Sequence, residues 1–433
     1  MNQGTLVTPT RFSHIREFLT YLDSLGLFHM DFGLHRVRSA LGRLGLGHGP
    51  HLSVQVVGTN GKGSTSVYLA EMLKACGRKT GLFTSPHFLS PLERITVDGA
   101  QLDPALWLRA AEAVLGVSRE PESRLTYFEL LLVMAAWLFR DLGCGAAVFE
   151  AGLGGAHDAT TGLAHDLTVF TSISLDHQRI LGPGLADIAR DKGQAMRPTI
   201  PALTCAQLPQ ADRVLKSTAK TLGVSLHQIK DLPLPAHWPA RPSLAGTHQV
   251  ENFRLALGAC FLLAKAHGLP LRVRDLRRAA ARAFIPGRLQ FVPGEKAGPD
   301  LILDGAHNQG GLASLAASLK DMNLAPSAMI FACLADKDWP NMTGLARGLT
   351  RGPIVVPGLD VPGRSMDPAE LARALGPRAE AAPDMSSALD RLRQAGPLVL
   401  ICGSLYLLGE FYKLRPGWLT RPAKWPIRAG DGP

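Results

Sequence analysis

The apolar run Val54-Gln55-Val56-Val57 breaks into Gly58-Thr59-Asn60-Gly61-Lys62-Gly63-Ser64 and then into helix-forming sequence. A strand that turns through small residues into a helix N-terminus leaves several backbone N–H groups aimed at one point. An anion there is stabilised by those groups and by the helix dipole. Lys62 adds a full positive charge, and Ser64 or Thr65 offers a hydroxyl to a magnesium ion. The segment reads as a phosphate-binding loop, although Gly63 separates the lysine from the hydroxyl residue and breaks the usual G-x-x-x-x-G-K-[ST] spacing. A structural glycine turn is the competing reading of so short a motif.

Other polar groups stand where apolar runs end. Glu150 closes Ala146-Ala147-Val148-Phe149 and precedes the glycine-rich Ala151-Gly152-Leu153-Gly154-Gly155, whereas Ser174-Leu175-Asp176-His177 follows the run from Leu167 to Ile173. With the phosphate loop, these make a magnesium and nucleotide site at three strand ends, although imidazole is an unusual ligand for so hard an ion. The plainer reading of Glu150 is a turn cap. Asp304-Gly305-Ala306-His307-Asn308 repeats the pattern further on, with a structural N-cap by Asp304 or Asn308 as its alternative. Asp336-Lys337-Asp338 reads equally as a charged loop, and Gly403-Ser404 as a plain turn.

These residues need elements to hold them. Short apolar runs (Val54–Val57, Thr80–Thr84, Ala146–Glu150, Leu167–Ile173) alternate with helical patterns, which predicts a parallel sheet covered by helices, with ligands gathered at the carboxyl ends of its strands. Residues 286–300 are rich in Gly and Pro and mark a domain boundary. Beyond them Leu301–Asp304, Ala328–Cys333, Pro353–Val356 and Leu398–Cys402 predict a second, smaller α/β domain. The expected organisation is an N-terminal domain over 1–290, a C-terminal domain over 291–412 and a basic, Pro-containing tail over 413–433.

Composition narrows the function classes. A chain of 433 residues with 46% hydrophobic residues has material for two or three cores. Its net charge of +10 is spread along the chain without an aromatic and basic stripe, which suits small polyanions such as nucleotides and carboxylates better than nucleic acid. The six cysteines are scattered and form no CxxC pair, as expected of buried thiols in a reducing compartment, the cytoplasm. The longest apolar run, Leu130 to Phe139, is too short to span a bilayer, and no signal segment is read at the start, so no membrane role is expected.

Taken in order, Gly58 to Ser64, Thr84-Ser85-Pro86-His87, Glu93-Arg94-Ile95, Thr126-Tyr127-Phe128-Glu129, Glu150 to Gly155, Asp158-Ala159-Thr160, Ser174 to His177, Pro286-Gly287-Arg288, Asp304 to Asn308 and Gly403-Ser404-Leu405-Tyr406 resemble the folylpolyglutamate synthase and dihydrofolate synthase family of the Mur ligase superfamily. The resemblance covers roughly residues 15 to 412. It implies a P-loop-containing, Mur-ligase-type ATPase domain followed by a smaller Rossmann-like domain. The activity implied is an ATP-dependent amide ligase that joins L-glutamate to dihydropteroate and to reduced folates. The carboxylate would be activated as an acyl phosphate, because an unactivated carboxylate is a poor acceptor for an amine.

Carried over by motif, the resemblance places the phosphates on Asn60, Gly61, Lys62, Gly63 and Ser64, and further nucleotide contacts on Asn252, Arg288 and Asp304. It places one magnesium ion on Ser85, Glu150 and His177. A second would be held with Lys192, which matches a lysine that is carbamylated in the family. His307 and Ser404 match positions tied to activity at the glutamate side, and Lys62, Asp158 and Lys192 join them as catalytic candidates. The pterin end would lie near Met30, Asp31 and Phe32, near Thr126, Tyr127, Phe128 and Glu129, and near His157, Asp158 and Ala159. Because the required residues lie on one chain, the resemblance implies a monomer acting on small molecules.

Some positions depart from the family pattern. Ala156-His157 replaces an Arg-Leu pair, Thr161 an asparagine, and Gly193-Gln194-Ala195-Met196 the usual Ala-Gly-Ile-Phe. Three other readings therefore stand beside the main one: an enzyme that only extends folates, a Mur-type ligase for another carboxylate, and a nucleotide-switched or nucleic-acid-binding protein with the same loop.

Overall fold

The structure, a computed structural model, describes residues 11–27, 29–47, 52–234, 242–295 and 298–420. Residues 421–433 of the expected tail, and Lys296 and Ala297 of the expected boundary, lie outside the described residues. The chain divides into two compact units. One takes in Met1–Ile173, Arg179–Arg241 and Asn252–Arg282, and the other Ser174–Gln178, Pro242–Glu251 and Ala283–Pro433.

The first unit is built on an eight-stranded sheet: β1 (Ser53–Val57), β2 (Thr80–Phe83), β3 (Ile95–Val97), β4 (Ala100–Gln101), β5 (Ala146–Glu150), β6 (Leu167–Phe170), β7 (Ala202–Thr204) and β8 (Leu226–Gln228), in the order β4-β3-β2-β5-β1-β6-β7-β8. The six strands from β2 to β8 in that order run parallel, and β3 and β4 add an antiparallel edge. Every residue of β1, β2, β5 and β6 is buried, which is why they read as unbroken apolar runs and not as alternating ones. The register pairs Val56 with Glu150 and Phe83 with Phe149, so the phosphate loop, Glu150 and Ser85 all leave the same carboxyl edge.

The apolar run from Leu130 to Phe139 belongs to the helix Tyr127–Asp141, most of whose residues are buried. It packs in a core with Phe18, Trp107, Phe83 and Phe149. Among the described residues no helix is long and apolar enough to cross a membrane. All six cysteines are free thiols, five of them buried.

The second unit carries a six-stranded sheet: β9 (Gln290–Val292), β10 (Asp300–Asp304), β11 (Ala328–Phe331), β12 (Ile354–Pro357), β13 (Ala379–Ala382) and β14 (Leu398–Cys402), in the order β13-β12-β11-β14-β10-β9. Asp304 and Phe331 both register with Cys402, so the loops after β10, β11 and β14 share one edge.

Two elements differ from the sequence reading. β6 stops at Phe170, short of Ile173, because the Ser172 carbonyl accepts the N–H groups of Thr59 (2.9 Å) and Asn60 (3.2 Å) from the phosphate loop. The Gly/Pro-rich boundary contains β9, whose Phe291 and Val292 are buried as it runs antiparallel to β10.

Candidate active site

The phosphate loop is shaped by two glycine-dependent features. Gly61 caps the helix Lys62–Ala75 in the left-handed region, with φ of 88°. A Cβ there would lie 2.3 Å from Asn252 Oδ1, so the loop and Asn252 meet only because residue 61 has no side chain. The helix ladder begins with Thr65 N–H donating to the Gly61 carbonyl at 2.9 Å, which leaves the N–H groups of the preceding turn without partners inside the helix. Lys62 curls back, its Nζ donating to the Thr59 carbonyl at 3.2 Å. Ser64 Oγ is buried and has no hydrogen-bond partner. An orphaned hydroxyl beside a row of open N–H groups suits a bound phosphate and its hard cation.

Glu150 ends β5 with 5% of its surface exposed and accepts the Ser85 N–H at 3.1 Å. The turn after it lies directly on the helix Leu185–Gly193, where a Cβ on Gly155 would sit 2.6 Å from the Lys192 carbonyl. The Ala156 N–H donates to the Asp191 carbonyl at 3.0 Å. Lys192 is 4% exposed. Asp191 Oδ2 is buried without a partner, and burial pushes its carboxyl up, with the charge of Lys192 opposing. Among the described residues no group of three or more His, Cys, Asp or Glu forms a ready metal cluster. Glu150 and the Ser64 hydroxyl offer oxygen donors, the chemistry that magnesium takes from protein beside substrate phosphates.

The segments expected at the pterin end meet through Arg36, a residue of the family-like Gly33-Leu34-His35-Arg36 segment to which the sequence assigned no role. This buried guanidinium donates to Asp31 (2.7 Å) and, through Nε and Nη2, to Glu129 (3.1 and 2.9 Å). Glu129 also closes a capping box with Thr126, fixing the start of the helix Tyr127–Asp141. Phe32, 61% exposed, packs edge-on to His157 with ring centroids 5.9 Å apart, and Met30 beside it is 48% exposed. Phe128 lies so close to Gly152 that a Cβ there would meet its ring at 2.9 Å. Tyr127 is buried under the Arg94 guanidinium.

Asp158 is a staple of the substrate loop. Its carboxylate accepts the N–H groups of Leu153 (2.8 Å) and Thr160 (2.9 Å), and Ala159 behind it is buried. Burial pushes its carboxyl up against the pull of those hydrogen bonds. Beside this region Arg94 Nε donates to His87 Nδ1 at 2.9 Å, and burial together with the Arg94 charge drives His87 down to about 3, so it is neutral.

In the second unit, Arg288 and Asp304 are neighbours. Asp304 accepts the N–H groups of Leu289 and Ala306, both at 2.9 Å, and Gly305 leaves room for the Arg288 guanidinium. Gly403 N–H donates to the Ala306 carbonyl at 3.0 Å, which brings Ser404 beside His307. Ser404 itself caps the helix Leu405–Leu414, accepting the Tyr406 N–H at 3.1 Å. Asp176, which the sequence placed at a strand end beside His177 without a role of its own, lies in the same unit. Burial alone would raise its carboxyl, but the hydrogen bond with His307 and the charges of Lys337, His307 and His177 hold it well below the usual carboxylate range.

Comparison with known proteins adds three kinds of likeness. Residues 287–405 match the family described as Mur ligase, glutamate ligase domain. A Bacillus subtilis (strain 168) protein named dihydrofolate synthase/folylpolyglutamate synthase is 30% identical over 433 residues, covering 92% of this chain and 99% of its own. The structure of E. coli FolC in complex with DHPP and ADP superposes with a TM-score of 0.81 at 27% identity, covering 94% of this chain and 99% of the other. The bifunctional folylpolyglutamate synthase/dihydrofolate synthase from Yersinia pestis c092, complexed with AMPPNP and Mn ion, gives a TM-score of 0.84 at 26% identity over 94% of this chain and 99% of that one.

Proposed function

This chain belongs to the dihydrofolate synthase/folylpolyglutamate synthase family, and from that premise we propose that it is an ATP-dependent ligase that attaches L-glutamate to folates, using dihydropteroate as well as reduced folates as acceptors. The observation that carries the reading is the phosphate loop: an open helix N-terminus, Lys62 folded over it, an orphaned Ser64 hydroxyl, and Asn252 against Gly61.

ATP phosphates sit on Asn60 to Ser64, where backbone N–H groups and Lys62 hold the charge that shifts during transfer. Arg288, Asp304 and Asn252 contact the rest of the nucleotide. Ser85 and Glu150, already joined by a hydrogen bond, would hold magnesium, to which the family pattern adds His177 and, for a second ion, carbamylated Lys192. Such ions, when bound, offset the negative charge of the phosphates. The turn lying on the Lys192 backbone supports a role for that lysine beside Glu150.

Met30, Phe32, Phe128 and His157 receive the pterin, and Asp31, Thr126, Glu129, Asp158 and Ala159 fix the segments that carry them; Tyr127 supports this wall from beneath. His307 and Ser404 act at the glutamate side. A carboxylate oxygen of the acceptor attacks the γ-phosphorus and ADP leaves. The glutamate amine then attacks the acyl carbon and expels phosphate, which carries the original carboxylate oxygen. With an ¹⁸O-labelled acceptor carboxylate, one labelled oxygen is expected in the released phosphate, and unlabelled phosphate would contradict the acyl-phosphate route.

The enzyme works in the cytoplasm, where a reducing environment suits its six free cysteines, and acts as a monomer on small molecules.

A further inference from the structure

We propose that Lys337 is a positioning residue for ligation: its ammonium fixes the Asp176 carboxylate as the anchor that holds both His177 and His307 in place. The proposal rests on the ligase reading above and extends it to a cation that the sequence showed only as part of a charged loop.

The anchor is a single buried carboxylate with donors from three loops. Asp176 Oδ1 accepts Lys337 Nζ at 2.6 Å and the His177 N–H at 2.8 Å. Oδ2 accepts Asn308 Nδ2 at 2.9 Å and faces His307 Nε2 at 3.5 Å. The side chains of Asp176 and Lys337 are 7% and 9% exposed. His177 has φ of 51°, a left-handed backbone that side-chain-bearing residues adopt only when surroundings enforce it, and its N–H on Asp176 is part of that enforcement. The His307 ring is bounded on its other side by the Gly305 carbonyl, 2.8 Å from Nδ1. Asn308 also caps the helix Gln309–Asp321, accepting the Gly311 N–H at 2.8 Å. One carboxylate thus ties a residue proposed at the metal to one proposed at the glutamate.

A buried carboxylate keeps such geometry only if its charge is compensated. The Asn308 amide and the His177 N–H are neutral donors, and imidazole charge depends on protonation. Among the described residues, Lys337 is the permanent cation in contact. Its acidic neighbours are turned elsewhere: Asp336 pairs with Arg364 at 2.7 Å, and Asp338 accepts from Gln309 at 2.6 Å and from Asn341. Lys337 is therefore committed to Asp176.

The test uses the full chain with Lys337→Met and Lys337→Gln, the second retaining a donor without the charge. Steady-state kinetics with ATP, glutamate and dihydropteroate are read beside the imidazole NMR signals of His177 and His307, assigned with His177→Gln and His307→Gln. Misplaced groups of this kind cost on the order of 10–100-fold, so Lys337→Met should lose that much in kcat over KM for glutamate and should need more magnesium for half-maximal rate. Lys337→Gln should fall between, both ring signals should move, and Lys337→Arg should recover part of the loss. A folded Lys337→Met with unmoved ring signals, or with wild-type glutamate kinetics, overturns the proposal; if it does not fold, unmoved signals in Lys337→Gln do so. The ring signals need no turnover, so absence of ligation by the wild type would overturn the ligase reading and leave this one separately decided.

Discussion

Lys62→Ala should lose ligation by on the order of 10²–10³-fold in kcat while remaining folded. The loop does not depend on Lys62 for its shape: Gly61 turns it, and the Thr59 and Asn60 N–H groups pin it to the Ser172 carbonyl. What the lysine adds is a full charge whose hydrogen bond to the Thr59 carbonyl, at 3.2 Å, is readily exchanged for one to a phosphate oxygen. The backbone donors and the helix dipole survive the substitution, so ATP should still bind, more weakly, while transfer suffers most. ATP binding and acceptor-dependent ADP release, measured on the same preparation, separate the two effects. Near-normal turnover would contradict the phosphate loop.

Arg36→Met should have the largest effect on stability. Its guanidinium is the shared partner of Asp31 and Glu129, and both it and Glu129 are buried. Removing one member of a buried ion pair leaves an uncompensated charge and costs about 3–5 kcal/mol. Glu129 would keep only its capping contact with Thr126, and the segment from Met30 to Phe32 would lose its tether. The expected result is a lower denaturant midpoint together with a raised KM for dihydropteroate and little change in KM for ATP. Adding Glu129→Gln should recover part of the stability, because the stranded charge goes with it. A wild-type midpoint and a wild-type acceptor KM in Arg36→Met would contradict the role given to this network.

The contrast between Lys62 and Arg36 shows what the sequence discloses. A phosphate loop is local: strand, glycines, lysine and helix fall within about a dozen residues, so its geometry can be read from the chain. Buried parallel strands are legible for the same reason, as β1, β5 and β14 were, because burial on both faces leaves unbroken apolar runs. Arg36 and Glu129 are 93 residues apart, and Asp176 and Lys337 are 161 apart. No spacing rule joins such pairs; only the fold does. The short strands β7, β8, β9 and β13 escaped notice because three or four residues carry too little pattern, and β9 was hidden further by prolines and glycines on both sides. The end of β6 was misplaced because a backbone contact with the phosphate loop, which no side chain announces, draws Ser172 out of the ladder.

The proposed activity is transfer of glutamate to a pterin-bearing carboxylate at the expense of ATP. The most direct measurement supplies the purified protein with magnesium, ATP, glutamate and dihydropteroate, follows ADP release, and weighs the products by mass spectrometry. The expected result is one ADP per product, a product heavier than dihydropteroate by a single glutamyl residue, and further additions when a reduced folate is the acceptor. ATP binding without any acceptor-dependent ADP, and with both acceptors unchanged in mass, would contradict it.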